Sequence, residues 1–274
     1  MNLGLRRVYL LGLALLVTAC VVGEHHTATI ERHWPASSIR TIEVAGVDGS
    51  LNVEAGPPNE VSLVAHVRSI GMKPRASAEN EGYFDTELNG DTLQITQRDA
   101  KMRVHFPFVI RRKMRIDYSL RVPSTVGLDL KMINGRITAR GVDGAGEFTT
   151  VNGPIDVETG GTNELEARTI NGSVHARFLR DFRGARLKTI NGRVQAMLPA
   201  SASFTCDLSQ VNGDFEASFP LSIHSNPGSR RVSGQVNGGQ FELQITTVNG
   251  DVEVHNVAPP PQPPPPPKPA APVG

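Results

Sequence analysis

The chain has 274 residues, enough for one large domain or two small ones, and its 39% hydrophobic content includes only 5% aromatic residues. The expected core is therefore built from Val, Ile, Leu and Ala. With 27 glycines and 20 prolines, the composition favours strands and turns over helices. The formal net charge of +1 gives no reason to expect a polyanionic partner such as nucleic acid.

The first twenty residues have the pattern of a bacterial export signal. Arg6-Arg7 precedes an apolar run from Val8 to Val17, and a run this short is more typical of a signal sequence than of a membrane span. The residues Val17-Thr18-Ala19-Cys20 resemble a lipobox. Residues 1–19 are therefore predicted to be a lipoprotein signal peptide, and Cys20 to become a lipidated N-terminus with acyl chains such as palmitate. An ordinary signal peptide with a chance cysteine is the alternative.

Residues 20–37 show little apolar periodicity and are predicted to be a lipidated tether. The folded domain is then expected outside the cytoplasm, held to a membrane of the cell envelope by its lipid. Val21, rather than an aspartate, follows Cys20, which in lipoprotein sorting suits the outer membrane if the cell has one.

Several stretches between residues 38 and 127 alternate apolar and polar residues as strands do. They cover residues 41–53, 61–67, 92–97 and 114–122. This region is less regular than the one that follows it. It is either a divergent first part of the same repeat array or a small β-sandwich-like start.

An apolar-Asn-Gly motif recurs from residue 133 to residue 250 and is the main signal in the sequence. The first five asparagines are 18, 19, 20 and 21 residues apart, and the last two intervals are 25 and 12. Looser copies occur earlier, at Val47-Asp48-Gly49 and Leu88-Asn89-Gly90. The predicted structural turn residues are Asn134, Gly135, Asn152, Gly153, Asn171, Gly172, Asn191, Gly192, Asn212, Gly213, Asn249 and Gly250. A further copy, Val236-Asn237-Gly238, departs from the pattern because Gly239 shifts the apolar phase that follows it.

The residues on both sides of each Asn-Gly pair alternate with the same phase in every regular copy. Apolar residues recur three and five positions after the asparagine, as in Ile155 and Val157, and six and four positions before it, as in Leu165 and Ala167. This period of two predicts a strand with one buried face on each side of the corner. Cys206 lies on the buried phase and is predicted to be a small hydrophobic residue.

Each repeat of roughly 20 residues is thus predicted to be a strand, an Asn-Gly corner, a second strand and a connection. Either a meander of type I′ hairpins or a β-solenoid with equivalent strands stacked in parallel has this order. The solenoid is favoured because the matched phase places like residues on like. The predicted fold is all-β, with one β-helix-like solenoid domain over residues 38–257 and a less regular N-terminal part. Stacked corner asparagines are expected to bond to one another along the axis.

Residues 258–274 are dominated by proline and cannot form a core. They are expected to be an extended polyproline II segment of about 50 Å, at about 3.1 Å per residue. This tail is either disordered without a partner or a spacer or contact within the cell wall.

Two segments carry a family resemblance: YSLRVPSTVGLDLKMINGRITARGVDGAGEFTTVNGPIDVETG at 118–160 and TIEVAGVDGSLNVEAG at 41–56. They resemble the bacterial putative-adhesin family, a domain of unknown function in which a Val-Pro strand leads into repeated Asn-Gly rungs. The likeness extends over residues 38–256. It implies a β-solenoid with a surface or envelope role and implies no established activity or ligand.

One outward-facing constellation has the residue types of a hydrolase. Ser173 and His175 point the same way on one predicted strand, and Asp156 stacks beside His175 from the preceding rung. Residues i and i+2 on a strand lie roughly 6.5–7 Å apart, too far for the nucleophile–base hydrogen bond of about 2.6–3.2 Å. We therefore predict no catalytic residues. The sequence also gives no reason to predict a metal site or a cofactor.

The basic segment Arg111–Arg115 is either a solvated loop or a contact with anionic lipid head groups or acidic envelope polymers.

The leading hypothesis is a non-enzymatic envelope lipoprotein that binds an envelope glycan or protein, or that acts as a scaffold, through a long stacked surface. A carbohydrate-active enzyme on a β-helix is the first alternative, and it requires acidic and basic residues that converge in one cleft. An accessory protein in envelope-stress signalling is the second. The compartment argues against nucleic acid as a partner.

Overall fold

The computed structural model describes residues 25–70, 83–98, 103–105, 108–110, 113–226 and 229–257. Within these ranges the protein is all-β, and its helical content is a single 3-10 turn at Ala36–Ser38. No helix within the described ranges is long and apolar enough to cross a membrane. The predicted signal peptide at 1–19, Cys20 and the proline-rich tail at 258–274 lie outside the described residues.

The strands are numbered β1 to β21 in chain order. Nineteen of them belong to one curled sheet, and β6 and β7 form a separate two-stranded hairpin. The strands that precede the regular repeats are β1 (His25–Pro35), β2 (Thr41–Ala55), β3 (Glu60–Ile70), β4 (Phe84–Asn89), β5 (Thr92–Gln97), β6 (Arg103–His105), β7 (Phe108–Ile110) and β8 (Lys113–Val122). Those that follow are β9 (Gly127–Arg140), β10 (Gly146–Asn152), β11 (Ile155–Thr159), β12 (Leu165–Asn171), β13 (Val174–Phe178), β14 (Ala185–Lys188), β15 (Val194–Leu198), β16 (Phe204–Asn212), β17 (Phe215–Ala217), β18 (Ser222–Asn226), β19 (Ser229–Val236), β20 (Phe241–Asn249) and β21 (Val252–Asn256).

Each Asn-Gly corner separates a first leg, the strand before the corner, from a second leg, the strand after it. Equivalent legs pair in parallel and in register. Phe148 of β10, for example, lies between Leu130 of β9 and Ala167 of β12, and β11 lies in the same way between β9 and β13. The strands β2 and β9 continue through the corner, so each contributes to both legs. Parallel pairing requires a crossover connection and therefore excludes a meander of hairpins for these strands.

The side chains at the inward-facing positions form a continuous core. On the second leg they are at most 6% exposed: Leu51, Val53, Ile137, Ala139, Ile155, Val157, Val174, Ala176, Val194, Ala196, Val252 and Val254. Phe215 and Ala217 are only half-buried, because among the described strands β17 has a neighbour on one side alone, where it ends the second leg. Cys206, on the first leg, is 1% exposed, and burial raises the pKa of its thiol to about 12.

The spatial order of the rungs departs from the chain order at the C-terminal end. The last strands, β20 and β21, pair with β14 and β15 on one side and with β16 and β17 on the other. The chain therefore forms the end rung of the stack, β16 and β17, before the rung that lies next to it. It then returns through the antiparallel strands β18 and β19. Its last rung, β20 and β21, lies between the rung of β14 and β15 and the end rung. This order accounts for the irregular asparagine intervals of 25 and 12 in the sequence.

Asn237 lies in the return segment and does not join the stacked corners. Its backbone is left-handed, with φ of 48°. Its side-chain amide donates to the carbonyls of Ala200 and Ala202, at 3.0 Å each. The Asn-Gly pair here caps the connection into β16, which explains why its flanking residues lack the regular phase.

The N-terminal region extends the stack instead of forming a separate sandwich. Beyond β2, the strand β5 continues the first leg and β8 continues the second leg, both in parallel. The antiparallel strands β4, β3 and β1 then lie on the outside. In the copy Leu88-Asn89-Gly90, Asn89 pairs with Thr92 across a hairpin turn in which Gly90 has φ of 64°. This early copy is therefore a hairpin and not a rung corner.

Residues 25–35, predicted to belong to the tether at 20–37, form β1 instead and pair with β3 along their whole length. Ile30 is buried, and Ala28 and Trp34 pack against the core. Arg32 shares this face, so the apolar alternation is broken in the sequence. A long arginine stem can cover apolar surface while its charge stays in water, which is why the strand tolerates it.

Tyr118 offers a stabilising substitution. Its side chain is fully buried in β8, with its ring edge-on to Phe84 at 5.8 Å between centroids, and its hydroxyl has no hydrogen-bond partner among the described residues. Burial raises the pKa of this phenol well above its ordinary range. A buried polar group without a partner is costly, so Tyr118→Phe is expected to raise the free energy of unfolding by about 1 kcal/mol in urea denaturation. A decrease of similar size would show that the hydroxyl makes a stabilising bond.

Candidate functional site

The corner side chains form a hydrogen-bonded ladder along the stack. Each asparagine Nδ2 donates to the Oδ1 of the corner residue in the neighbouring rung, at 2.8–2.9 Å. The order along the stack is Asp48, Asn134, Asn152, Asn171, Asn191, Asn249, Asn212. Asp48 begins the ladder and only accepts a hydrogen bond from it, which a carboxylate can do as well as an amide.

Glycine follows the corner residue because the neighbouring backbone leaves no room for a side chain. A Cβ on Gly153 would lie 2.0 Å from the carbonyl oxygen of Gly135, and a Cβ on Gly172 would lie 2.0 Å from that of Gly153. Gly153 has φ of 158°, whereas Gly172 has no positive φ. Close approach between rungs is therefore the shared requirement, and backbone conformation adds to it only at some corners.

A buried polar residue lies beneath each of the later corners, two positions before the asparagine. Its side chain donates to the glycine carbonyl of the adjacent rung: Thr150 to Gly135 at 3.3 Å, Thr169 to Gly153 at 3.0 Å, Thr189 to Gly172 at 2.9 Å, and Gln210 to Gly250 at 2.8 Å. Thr247 occupies the same place, but its hydroxyl has no partner within the described chain. Sequence reasoning missed this role, although the signal Thr-Val/Ile-Asn-Gly is present in four copies.

Two of these threonines form a matched pair for mutagenesis. Thr169→Val removes a buried hydroxyl that satisfies the Gly153 carbonyl, and it is expected to lower the free energy of unfolding by about 1 kcal/mol. Thr247→Val makes the same change where the hydroxyl has no partner, and it is expected to leave stability unchanged or raise it. Urea denaturation of both variants measures the difference. Equal losses would mean that the hydrogen bond contributes nothing.

The apolar residue before each corner asparagine faces solvent. Five of these side chains are 37–46% exposed, and Val47 and Val151 are half-buried. Because the corners stack in register at about 4.8 Å, the side chains form one row about 29 Å long, which we name the corner ridge. In spatial order the corner ridge consists of Val47, Ile133, Val151, Ile170, Ile190, Val248 and Val211.

Positive charge lies on both sides of the corner ridge over its middle rungs. Lys131, Arg168 and Lys188 lie two positions before a ridge residue, on the same face of the first leg. Arg136 and Arg193 lie at the first outward position after a corner glycine. These five exposed residues are named the cationic border. In the rungs of Asn134 to Asn191 no acidic residue occupies either position. In the last two rungs, Asp251 and Asp214 take the second-leg position.

Acidic residues pair with the border, and all of them except Asp251 lie one row farther from the corner ridge. Lys131 contacts Asp129 at 2.7 Å, Arg168 contacts Glu166, and Arg136 contacts Asp156. Arg193 contacts Asp251 at 3.4 Å and Glu253 at 3.1 Å. Such exposed ion pairs contribute little stability, so these cations remain available to another anion.

The predicted Ser173, His175 and Asp156 constellation lies on the outer face of the second leg. His175 Nδ1 lies 2.9 Å from Asp156 Oδ1, and Arg136 contacts the other carboxylate oxygen. No hydrogen bond joins Ser173 to His175 within the described chain, so a nucleophile paired with a base is not formed. A shallow groove of about 180 Å³ beside them is lined by Arg140, Asp156, Glu158, His175, Arg177 and Gln195, among others.

Asp156 makes stability depend on pH. The hydrogen bond with His175, together with Arg136, holds the pKa of the Asp156 carboxyl below its ordinary value against the opposing effect of burial. A lowered folded-state pKa stabilises the protein above the unfolded-state value of about 3.9, and this stabilisation is lost as the pH falls through the folded-state pKa. Asp156→Asn is therefore expected to lose less stability than the wild type between pH 6 and about pH 3, measured by urea denaturation. Parallel losses in both proteins would contradict this.

The remaining charged candidates do not form a site among the described residues. No group of three or more His, Cys, Asp or Glu side chains there is placed to hold a metal ion. Arg115 contacts Asp117 at 3.2 Å. Arg111 and Arg112 lie outside the described residues, and the structure does not describe the side chain of Lys113.

These features define a stacked all-β domain with a regular ladder of corner side chains. Residues 125–255 match the family model described as Toastrack DUF4097, which supports a putative-adhesin-like domain of unknown function. The match begins just before β9 and ends within β21, so it contains all the regular rungs and leaves out β1 to β8.

The solved structures that are similar to this chain include two bacterial proteins. A putative cell adhesion protein from Clostridium sporogenes is 10% identical with a TM-score of 0.43, and the match covers 85% of this chain and 100% of that one. A putative adhesin from Bacteroides fragilis is 11% identical with a TM-score of 0.39, and the match covers 84% of this chain and 97% of that one. A comparison with curated protein sequences returned no significant match.

Proposed function

We propose that this protein is a non-enzymatic lipoprotein of the cell envelope whose rungs form a β-solenoid with Asn-Gly corners. The stack presents a long surface for binding an envelope component or for scaffolding. The observation that carries the proposal is the corner ridge, an exposed row of aliphatic side chains supported along its length by the amide ladder. A repeated, rigid and exposed row is suited to recognition of an extended partner.

Lipid anchoring at Cys20 is part of the proposal, and the position of β1 sets how far such an anchor would be from the sheet. β1 begins at His25 and is paired with β3 from its first residue. At most about 3.6 Å per residue, the five residues from Cys20 to His25 reach no more than about 18 Å. An acyl-modified Cys20 would thus hold the sheet close to the bilayer, outside the cytoplasm and at the outer membrane if the cell has one.

Lipidation is tested by expression in a bacterial host that is fed labelled palmitate. The wild-type chain is expected to incorporate the label and to fractionate with membranes, and Cys20→Ser is expected to do neither. Cys206→Ala is the matched control, because Cys206 is 1% exposed and is expected to leave labelling unchanged. Equal labelling of wild type and Cys20→Ser would contradict the anchor.

Binding is tested with the chain from Val21 to Gly274, which retains β1 and lacks the acyl acceptor. It is mixed with intact cells and with isolated envelope polymers at two salt concentrations. Saturable binding that persists at high salt supports the proposal and identifies the class of ligand. No binding to any envelope fraction contradicts a recognition role. The alternatives of a carbohydrate-active enzyme and a signalling accessory have no specific observation in their favour within the described chain.

A further inference from the structure

The corner ridge differs from ordinary exposed aliphatic residues in its continuity. Single exposed apolar side chains are common on soluble proteins and need no explanation, whereas a contiguous exposed row marks an interaction surface. The row here is produced by register: each ridge residue precedes a corner that is bonded to the next corner in the stack. The hydrogen-bonded corners beneath the row keep these side chains aligned.

The cationic border selects the kind of partner. A second copy packed ridge to ridge would bring the five border cations of one copy toward the five of the other, and this like-charge contact is unfavourable. A partner with apolar chains between or beneath anionic groups complements both features at once. We propose that the corner ridge and its cationic border dock on an anionic lipid surface, with the aliphatic row in the acyl boundary and Lys131, Arg168, Lys188, Arg136 and Arg193 at the head groups.

The placement of the N-terminus agrees with this orientation. β1 pairs with β3, β3 pairs with β8, and β8 pairs with β2, so β1 lies at the β2 end of the second leg. The corner ridge begins in the same β2, at Val47. A lipid at Cys20, as in the proposed function on which this inference rests, would therefore tether the stack beside one end of the ridge. The ridge, about 29 Å long at about 4.8 Å per rung, could then lie along the membrane surface instead of pointing away from it.

The test is co-sedimentation of the chain from Val21 to Gly274 with vesicles, because this chain has no acyl group to bind by itself. Vesicles of phosphatidylcholine alone are compared with vesicles of equal parts phosphatidylcholine and phosphatidylglycerol.

Three variants are compared with the wild type. The ridge variant carries Ile133→Thr, Ile170→Thr and Ile190→Thr, which keep β-branched side chains at exposed positions. The border variant carries Lys131→Gln, Arg168→Gln and Lys188→Gln. The matched control carries Leu88→Thr and Leu179→Thr, exposed leucines outside the ridge. Thermal unfolding establishes that each variant is folded.

The wild type and the control are expected to bind anionic vesicles equally and to bind neutral vesicles weakly. The ridge and border variants are each expected to lose about tenfold or more in partition to anionic vesicles. If the ridge variant binds like the wild type and binding vanishes at high salt, the surface is a site for a soluble acidic polymer and the lipid proposal is overturned. If no folded protein binds vesicles while cells or envelope polymers are bound, this inference fails and the proposed function stands. If nothing is bound, both fail.

Discussion

Gly172→Ala is expected to lower the free energy of unfolding by about 3 kcal/mol. The new Cβ would lie 2.0 Å from the carbonyl oxygen of Gly153 and 2.5 Å from its carbonyl carbon. Both atoms belong to the backbone of the adjacent rung, so no side-chain rotation can relieve the clash. The two rungs would have to separate, and separation would also weaken the hydrogen bond from Gly153 N to Asn171 O, now 2.9 Å.

Gly127→Ala is the matched control for this substitution. Gly127 begins β9, and a Cβ there would meet its nearest neighbour at 3.5 Å, an ordinary van der Waals contact. Its stability is expected to change little or to rise slightly, because alanine reduces the entropy of the unfolded chain. Urea denaturation of both variants decides the matter. Similar stabilities for the two would mean that neighbouring rungs are not in close contact at the corner.

Asp143→Ala is expected to lower the free energy of unfolding by about 2–3 kcal/mol. Asp143 lies in the connection between β9 and β10, and its side chain is 18% exposed. Its carboxylate accepts from Gly160 N and contacts Arg180, both at 2.5 Å, so it joins the connections of three successive rungs. Alanine would leave the buried Gly160 N–H without this acceptor.

Asp143→Asn separates the two contributions of this carboxylate. An asparagine can still accept from Gly160 N through its amide oxygen, but it cannot form the ion pair with Arg180. Its loss of stability is therefore expected to be smaller than that of Asp143→Ala. Equal losses in chemical denaturation would show that the ion pair, and not the buried N–H, accounts for the effect.

The strands on either side of each Asn-Gly pair could be predicted because two local signals coincide in the sequence. The period-2 alternation identifies which side chains are buried, and residues such as Ile155 and Val174 are indeed 0% exposed. The repeated Asn-Gly pair identifies where the chain turns. Both signals depend only on neighbours in the chain, and so they can be recognised without knowledge of the partners across the sheet.

The position of the last rung depends on partners that are distant in the chain. Asn249 bonds to Asn191, 58 residues away, and to Asn212, 37 residues away. The sequence interval of 12 residues before Asn249 shows only that the regular repeat has been interrupted. Which gap the rung fills is decided by the return strands β18 and β19, whose own pairing has no counterpart in the other repeats.

The corner ridge was also not predicted, although its residues are part of the motif. The apolar residue before each asparagine looks like a core residue in the sequence, and the burial of Thr169 looks unfavourable for a hydroxyl. The structure shows the opposite of what residue type alone suggests, with Ile170 42% exposed and Thr169 4% exposed, and both residues follow the period-2 phase of their strand. The reason is the Gly153 carbonyl beneath the corner, which needs a donor from the inward-facing residue.

Cysteine pairs at exposed ridge positions test the spatial order of the rungs along the corner ridge. In the chain from Val21, the pairs are Ile190→Cys with Val248→Cys, Val248→Cys with Val211→Cys, and Ile190→Cys with Val211→Cys. Adjacent rungs place Cα atoms about 4.8 Å apart, within disulfide range, and rungs two apart place them at about 9.6 Å, beyond it. After mild oxidation, mass spectrometry is expected to show disulfides in the first two pairs and none in the third. A disulfide in the third pair and none in the first would mean that the rungs stack in chain order, and the continuous ridge described here would not exist in that form.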